Sequence, residues 1–136
     1  MDKQIRVLVV DDEPVICHLV VDILVQEDYM VDVTFSGIDA LRMIRKDYYH
    51  LLITDLGMPG IDGLQLIREA KKENPDIRTL ILTGGAAADM VTWSLIYGID
   101  NHMEKPFNII ELREMVKQAL CGHKMVQEKL NLKYSK

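Results

Sequence analysis

Short apolar segments alternate along the chain with longer segments whose apolar residues recur every three or four positions. The first pattern is typical of strands and the second of amphipathic helices. We predict five strands, at residues 5–10, 30–35, 51–54, 79–82 and 100–104. A helix is predicted after each of them, and the last helix is predicted to end near Leu120. Alternating units of this kind indicate an α/β fold, with a parallel sheet covered by helices on both faces.

The polarity of each predicted strand indicates its place in the sheet. The first, third and fourth strands are almost entirely apolar, as expected for central strands buried on both sides. The second alternates between apolar and polar residues, and the fifth is mostly polar, so we predict both at the edges. Edge strands in the second and fifth positions of the sequence match the doubly wound order 2-1-3-4-5.

Capping residues mark the starts of two of the predicted helices. Ser36 is followed three residues later by Asp39, and Asn108 is followed at the same spacing by Glu111. Such pairs can bond the free amide groups of a first helical turn. The fourth helix is predicted after Gly84-Gly85 and is expected to end near Tyr97.

Length and charge narrow the classes of function. The 136 residues suit one domain, and the formal net charge is −5. Residues 121–136 carry four Lys and one acid and sum to +3, so the remainder sums to −8. An acidic body argues against nucleic-acid binding, which needs clustered basic residues.

Cysteine usage and hydropathy bear on location. The only two cysteines, Cys17 and Cys121, form no spaced framework, which indicates free thiols in a reducing compartment. The apolar run near the N-terminus is too short for a signal peptide or a membrane span. We therefore expect a cytoplasmic protein with no membrane contact.

Polar residues follow several predicted strands at the point where each strand ends. Asp11 and Asp12 come directly after the first strand, Asp55 after the third, Thr83 after the fourth and Lys105 after the fifth. Taken singly, these are ordinary helix caps, turn residues or a solvated lysine. In this type of sheet, however, ligands bind outside the carboxyl ends of the strands, at the point between the first and third strands where the winding direction switches. The five residues together therefore predict a site.

The predicted site combines three carboxylates with one ammonium group. Neighbouring carboxylates raise one another's pKa unless a cation lies among them, and Lys105 alone cannot neutralise three acids. Oxygen ligands that leave room for water suit Mg²⁺. A divalent ion beside a lysine favours an incoming dianion such as a phosphoryl group, which an aspartate at the position of Asp55 can attack to form an acyl phosphate.

Four motifs resemble the receiver domain of two-component response regulators. They are VVDDEP at 9–14, DLGMPGIDG at 55–63, TG at 83–84 and KPF at 105–107. The similarity covers about residues 4–120, nearly the whole family domain, with the motifs in order at the expected intervals. It implies a (βα)5 flavodoxin-like sandwich that acts as a signalling switch, taking a phosphoryl group from the phosphohistidine of a histidine kinase onto Asp55.

The resemblance also implies a Mg²⁺ site. Asp12 and Asp55 would ligate the ion directly, together with the main-chain carbonyl of Gly57, and Asp11 would act largely through water. Gly57 and Gly85 stand where many relatives carry larger side chains. We expect these two glycines to give the acyl phosphate an unusual lifetime, in a direction that the sequence does not fix.

Three further roles are implied by the same resemblance. Lys105 would contact the phosphoryl oxygens, and Thr83 would move toward them after phosphorylation. His102 lies where the family has a switch residue that turns inward, although a solvated edge-strand histidine is an equally good interpretation. Lys105-Pro106 resembles the family's usual cis peptide. The signal would leave through the face formed by the fourth helix, fifth strand and fifth helix.

The expected partners are a sensor histidine kinase or a histidine phosphotransfer protein, and an effector or output domain. We assign residues 1–120 to the receiver domain. Residues 121–136 are predicted to be a basic tail, either a linker or a frayed end. The alternative is a helix that leads to an output domain absent from this chain or that serves self-association as a homodimer.

Two other classes of protein are alternatives to a signalling domain. A metal-dependent phosphohydrolase that forms an aspartyl phosphate would place its nucleophile after the first strand, with a second Asp two residues further on, and would carry an added cap domain. In this chain the two aspartates after the first strand, Asp11 and Asp12, are adjacent. A flavin-binding electron carrier would need a loop rich in Ser, Thr and Gly there, where this chain has Asp11, Asp12 and Glu13. We therefore expect a signalling domain that assists only its own phosphorylation and dephosphorylation, and not an enzyme.

Overall fold

The computed structural model describes residues 4–58, 60–84 and 99–134, with side chains described as far as residue 121. The strands are β1 (Arg6–Val10), β2 (Met30–Thr34), β3 (Leu51–Asp55), β4 (Arg78–Thr83) and β5 (Asn101–Glu104). The helices are α1 (Pro14–Val25), α2 (Gly37–Lys46), α3 (Gly63–Glu73) and a C-terminal helix (Ile109–Tyr134). The predicted fourth helix, with Gly85 at its start, lies outside the described residues.

All five strands pair in parallel in the order β2-β1-β3-β4-β5, which confirms the predicted topology. β3 is buried along its whole length, and β1 and β4 are buried except at their first residues. β2 and β5 lie at the edges and are only partly buried, as their polarity predicted. The strand order is therefore consistent with polarity: the two strands that carry polar residues lie at the edges of the sheet, where they are partly exposed to water.

Alternate residues of the central strands face two separate apolar clusters. Val9 and Ile53 contribute to the cluster on the side of α1 and the C-terminal helix. Leu8 and Leu52 contribute to the cluster on the side of α2 and α3. Because neighbouring residues of a strand point to opposite faces, a nearly continuous apolar run is what a sheet with two covered faces requires.

The predicted caps are present. The amide of Asp39 donates to the side chain of Ser36 at 3.3 Å, and the amide of Glu111 donates to Asn108 Oδ1 at 2.8 Å. Asn108 Nδ2 also donates to Glu111 Oε1 at 3.0 Å. These bonds replace hydrogen bonds that first-turn amides cannot make within their own helix.

The C-terminal helix is longer than predicted. It continues through Gly122 to Tyr134, whereas the sequence predicted an end near Leu120. A single glycine inside a helix costs only about 1 kcal/mol relative to alanine, and the residues that follow include the good helix formers Lys, Met, Gln, Glu and Leu. The glycine therefore did not end the helix. No helix in the described part of the chain is both long enough and apolar enough to cross a membrane.

Candidate functional site

The carboxyl ends of the strands carry the predicted site residues. Asp11 directly follows β1, Thr83 is the last residue of β4, and Lys105 directly follows β5. Asp55 is itself the last residue of β3, one position later than the predicted strand end. The sheet therefore places residues from four different parts of the sequence along one edge.

Backbone hydrogen bonds continue the sheet ladder for one residue beyond these strand ends. The Asp11 amide donates to Thr34 O at 3.3 Å, and the Lys105 amide donates to Thr83 O at 2.7 Å. The Leu56 amide, next to Asp55, likewise donates to the carbonyl of the last-but-one residue of β4 at 2.9 Å. The backbone of the site is therefore held by the same kind of bond as the sheet itself.

Lys105 joins three acids of the site. Its Nζ lies 2.8 Å from Asp11 Oδ2, 3.2 Å from Asp55 Oδ1 and 3.2 Å from Glu13 Oε1. The Lys105 side chain is 12% exposed, so its charge is largely removed from water. One buried ammonium therefore interacts with carboxylates from β3 and from the loop after β1.

Burial and mutual repulsion shape the titration of these groups. Asp11 has no exposed surface, and Asp55 is 8% exposed. Burial, followed by the nearby charge of Asp11, raises the pKa of Asp55 above its usual value, and Lys105 opposes this shift. Burial acts to lower the pKa of Lys105, but its contacts with Asp11, Glu13 and Asp55 outweigh burial and raise it. The cluster has more negative than positive charge.

The oxygens of the cluster fit a metal ion. One carboxylate oxygen from each of Asp11, Asp12, Glu13 and Asp55 can be chosen so that all lie within 4.8 Å of one another. Asp12 and Glu13 are exposed, which leaves an open side toward water. Hard oxygen donors with room for water are the donor set that Mg²⁺ or Ca²⁺ prefers.

Two glycines near Asp55 have opposite surroundings. A Cβ on Gly63, the first residue of α3, would overlap the carbonyl oxygen of Asp55, so the helix packs directly on the backbone of this residue. A Cβ on Gly57 would meet no atom of the described residues within 4 Å. Gly63 is therefore needed for close packing, whereas the described residues leave space for a side chain at Gly57.

Cys17 packs beneath the site. Its Sγ donates to the carbonyl oxygen of Asp11 at 3.3 Å. Burial, with the nearby charge of Asp11, raises the pKa of Cys17 to about 11. Both Cys17, which is buried, and Cys121, which is exposed, are free thiols.

The remaining predicted residues lie on or beside β5. His102 pairs in register with Ile81 of β4, and its side chain is exposed. The Lys105-Pro106 peptide is cis, as the resemblance implied. His102 does not touch the acidic cluster in the described contacts, so a switching role for it stays a prediction.

Sequence reasoning missed the part played by Glu13. Its contact with Lys105 joins residues 92 positions apart and depends on two long side chains pointing toward each other. The available signal was its place directly after Asp11 and Asp12, in a loop already predicted to lie at the site.

The fold and the cluster define a class of protein: a small doubly wound α/β domain with an acidic, lysine-containing site at the switch point of its sheet. Residues 7–117 match the family model of the response regulator receiver domain. The chain belongs to this family.

Characterised relatives agree with this assignment. The chain is 32% identical over 115 residues to sporulation initiation phosphotransferase F of Bacillus subtilis, covering 85% of this chain and 93% of that protein. It is also 33% identical over 116 residues to the transcriptional regulatory protein TctD of Salmonella typhimurium. That match covers 85% of this chain but only 51% of TctD, so the chain spans about half the length of this relative.

Solved structures share the fold. A CheY-like receiver domain protein from Methanospirillum hungatei superposes with a TM-score of 0.84 at 28% identity, covering 90% of this chain and 98% of that one. A response regulator from Burkholderia pseudomallei, solved with a phosphorylated aspartic acid, a calcium ion and citrate, has a TM-score of 0.76 at 27% identity. The matched region covers 96% of this chain and 75% of the B. pseudomallei chain.

Proposed function

We propose that this receiver domain is a switch that accepts a phosphoryl group on Asp55 from the phosphohistidine of a sensor histidine kinase or a histidine phosphotransfer protein. The observation that carries the proposal is the placement of Lys105 Nζ at 3.2 Å from Asp55 Oδ1 within an acidic cluster that suits a divalent cation. The B. pseudomallei relative, with its phosphorylated aspartic acid and calcium ion, supports the same chemistry in the family.

The residues of the site have distinct tasks in this reaction. Asp55 is the nucleophile: one carboxylate oxygen forms a bond to phosphorus as the bond between phosphorus and the histidine nitrogen breaks, and the imidazole leaves. Lys105 is placed to stabilise negative charge on the transferred oxygens. Thr83, at the end of the neighbouring strand, is the residue proposed to sense them.

We assign the divalent ion, which we take to be Mg²⁺, to the carboxylates of Asp12 and Asp55 and the main-chain carbonyl of Gly57. Asp11 would assist largely through water. When bound, the ion supplies positive charge that offsets the repulsion between the acids and an incoming phosphoryl group. Asp12 and Gly57 are exposed, so both would be accessible to an ion that keeps some of its waters.

An apolar surface next to the site suits a protein donor. Val15 of α1 is 78% exposed and Ile110 of the C-terminal helix is 70% exposed. Between these helices lies a shallow depression of about 560 Å³ lined in part by Leu19 and Phe107. Phe107 is two residues from Lys105, so a helical partner seated here would hold its phosphohistidine close to Asp55.

We propose that the protein works in the cytoplasm and does not turn over small substrates. Its output would pass through the face that includes β5 and the C-terminal helix to an effector or to an attached output domain. Residues 121–136 would connect the domain to that output. Self-association into a homodimer is compatible with this scheme.

The central test is incubation with Mg²⁺ and acetyl phosphate followed by intact-mass measurement. Wild-type protein should gain one phosphoryl group, and Asp55→Asn should gain none. Asp76→Asn, which removes an exposed aspartate from the loop before β4, is the matched control and should behave as wild type. Absence of any gain, with acetyl phosphate or with a histidine kinase, would leave a degenerate receiver that signals by binding alone. Continuous release of phosphate from small esters would instead favour a phosphohydrolase.

A further inference from the structure

The contact between Glu13 and Lys105 has no part in the ligand set or in the attack on phosphorus proposed above. Glu13 Oε1 lies 3.2 Å from Lys105 Nζ. The Glu13 side chain is 60% exposed, whereas the Asp11 side chain is fully buried and the Asp55 side chain is 11% exposed. Glu13 is therefore the outermost of the three acids that hold Lys105.

The loop after β1 fixes the position of Glu13. Its backbone amide donates to Asp11 Oδ1 at 3.0 Å, which ties the residue to the buried acid. Its carbonyl oxygen accepts a hydrogen bond from the Cys17 amide at 3.2 Å in the first turn of α1. The contact with Lys105 therefore joins a side chain on a fixed backbone to the lysine at the end of the edge strand.

A phosphoryl group arriving at Asp55 needs the charge that Glu13 partly neutralises. Lys105 has to present hydrogen-bond donors to the new oxygens, and Glu13 accepts one of those donors in the resting state. Glu13 also adds a negative charge at the rim across which an anionic donor must pass. Both effects disfavour a small donor that arrives by diffusion.

We propose that Glu13 is a positioning residue that holds Lys105 back from incoming phosphoryl groups and so weakens the use of small anionic phosphodonors. This inference rests on the proposed phosphorylation of Asp55 and adds a specificity role to the same site. A protein donor is less affected, because it gains binding free energy from apolar contacts that a small anion cannot make.

The main experiment compares wild type with Glu13→Gln, which keeps the shape of the side chain and removes its charge. Phosphorylation rates are measured over a range of acetyl phosphate concentrations at saturating Mg²⁺. The half-saturating concentration should fall by about 2- to 5-fold, as expected for one partly exposed charge close to the site, with the maximal rate unchanged. Glu104→Gln is the control, because Glu104 is exposed next to Lys105 in sequence but makes no described contact with it.

Two readouts do not depend on phosphoryl transfer. Binding of beryllium fluoride, a phosphoryl analogue, should tighten in Glu13→Gln by a factor similar to that seen with acetyl phosphate. In protein labelled with ¹⁵N-lysine and free of metal and donor, the ammonium signal of Lys105 should be visible in wild type. It should broaden in Glu13→Ala, where the contact is lost.

The outcomes separate this inference from the alternatives. If Glu13→Gln and Glu104→Gln change the half-saturating acetyl phosphate concentration equally, the inference is overturned. The effect would then come from any negative charge near the site and not from the contact between Glu13 and Lys105. A tenfold larger loss of Mg²⁺ affinity in Glu13→Gln than in Glu104→Gln, measured by calorimetry, would also overturn it and identify Glu13 as a metal ligand. If wild type takes no phosphoryl group, the proposed function fails, and the beryllium fluoride and NMR measurements still decide the role of Glu13.

Discussion

Lys105 Nζ lies 2.8 Å from Oδ2 of Asp11, a carboxylate with no exposed surface. The two residues are separated by almost the whole domain in sequence, and both lie directly after a strand. An ionised carboxylate is costly to bury without a positive partner. The ion pair is therefore a structural requirement of the resting domain as well as part of its site.

We predict that Lys105→Met destabilises the domain in a pH-dependent way. Loss of the ammonium leaves the Asp11 and Asp55 charges unbalanced, which should lower the free energy of unfolding by about 2–4 kcal/mol at neutral pH. The pKa of Asp55 is already raised by burial and would rise further without Lys105. A group with a raised pKa in the folded state favours folding when it is protonated, so the deficit should shrink as the pH falls below neutrality.

Urea denaturation of wild type and Lys105→Met at neutral and mildly acidic pH measures this effect. Lys46→Met, an exposed lysine in the last turn of α2, is the control for loss of one positive charge. If the free energy of unfolding of Lys105→Met is lower than that of wild type by the same amount at both pH values, the lost stability does not come from unpaired carboxylates.

We predict that the two glycines near Asp55 differ strongly in their tolerance of a side chain. Gly63→Ala should lower the free energy of unfolding by about 1–3 kcal/mol, because the new Cβ overlaps the Asp55 carbonyl oxygen and the backbone must shift. Gly57→Ala should change it by less than ~0.5 kcal/mol, since its Cβ would meet no atom of the described part of the chain within 4 Å. Thermal unfolding of both variants tests this, and similar losses would contradict the described packing.

We predict that a larger residue at Gly57 lengthens the life of the acyl phosphate. The described residues leave space at Gly57, two residues from Asp55, and a Met side chain there should hinder the approach of water to the acyl phosphate. Gly57→Met should slow dephosphorylation at least about threefold, equivalent to ~0.7 kcal/mol in the barrier. Decay of ³²P-labelled protein measures the rate, and an unchanged rate would remove the link between this glycine and lifetime. Gly85, its predicted counterpart, lies outside the described residues.

We predict that His102 contributes to signalling and not to folding. Because its side chain is exposed on an edge strand, His102→Ala should change the free energy of unfolding by less than ~0.5 kcal/mol. If it is the switch residue, the amide shifts of β4 and β5 on binding beryllium fluoride should be smaller in His102→Ala than in wild type. Identical shifts, or unchanged affinity of the phosphorylated protein for its partner, would leave His102 as a solvated histidine.

Strand order and the placement of several candidate site residues at one edge could be predicted because both depend on short-range patterns. The apolar central strands and polar edges of the sheet determined the order, and parallel strands bring their carboxyl ends together whatever the length of the connecting helices. The sequence pattern alone therefore predicts Asp11, Asp55 and Lys105 at one edge of the sheet.

Two features could not be predicted, for different physical reasons. The continuation of the C-terminal helix past Gly122 depends on a small balance between one unfavourable glycine and the helix propensity of its neighbours. The contact between Glu13 and Lys105 depends on the conformations of two flexible side chains, which no sequence pattern encodes. Such contacts require a three-dimensional structure.

The backbone bonds from Asp11 to Thr34 and from Lys105 to Thr83 have a consequence for cooperativity. Because these bonds belong to the sheet ladder, the backbone at Asp11 and Lys105 should unfold together with the sheet. The capacity to accept a phosphoryl group should therefore disappear at the same denaturant concentration as the helices do. Partly unfolded forms of the domain would then transmit no false signal, since a domain that has lost its sheet has also lost the proposed phosphoacceptor site.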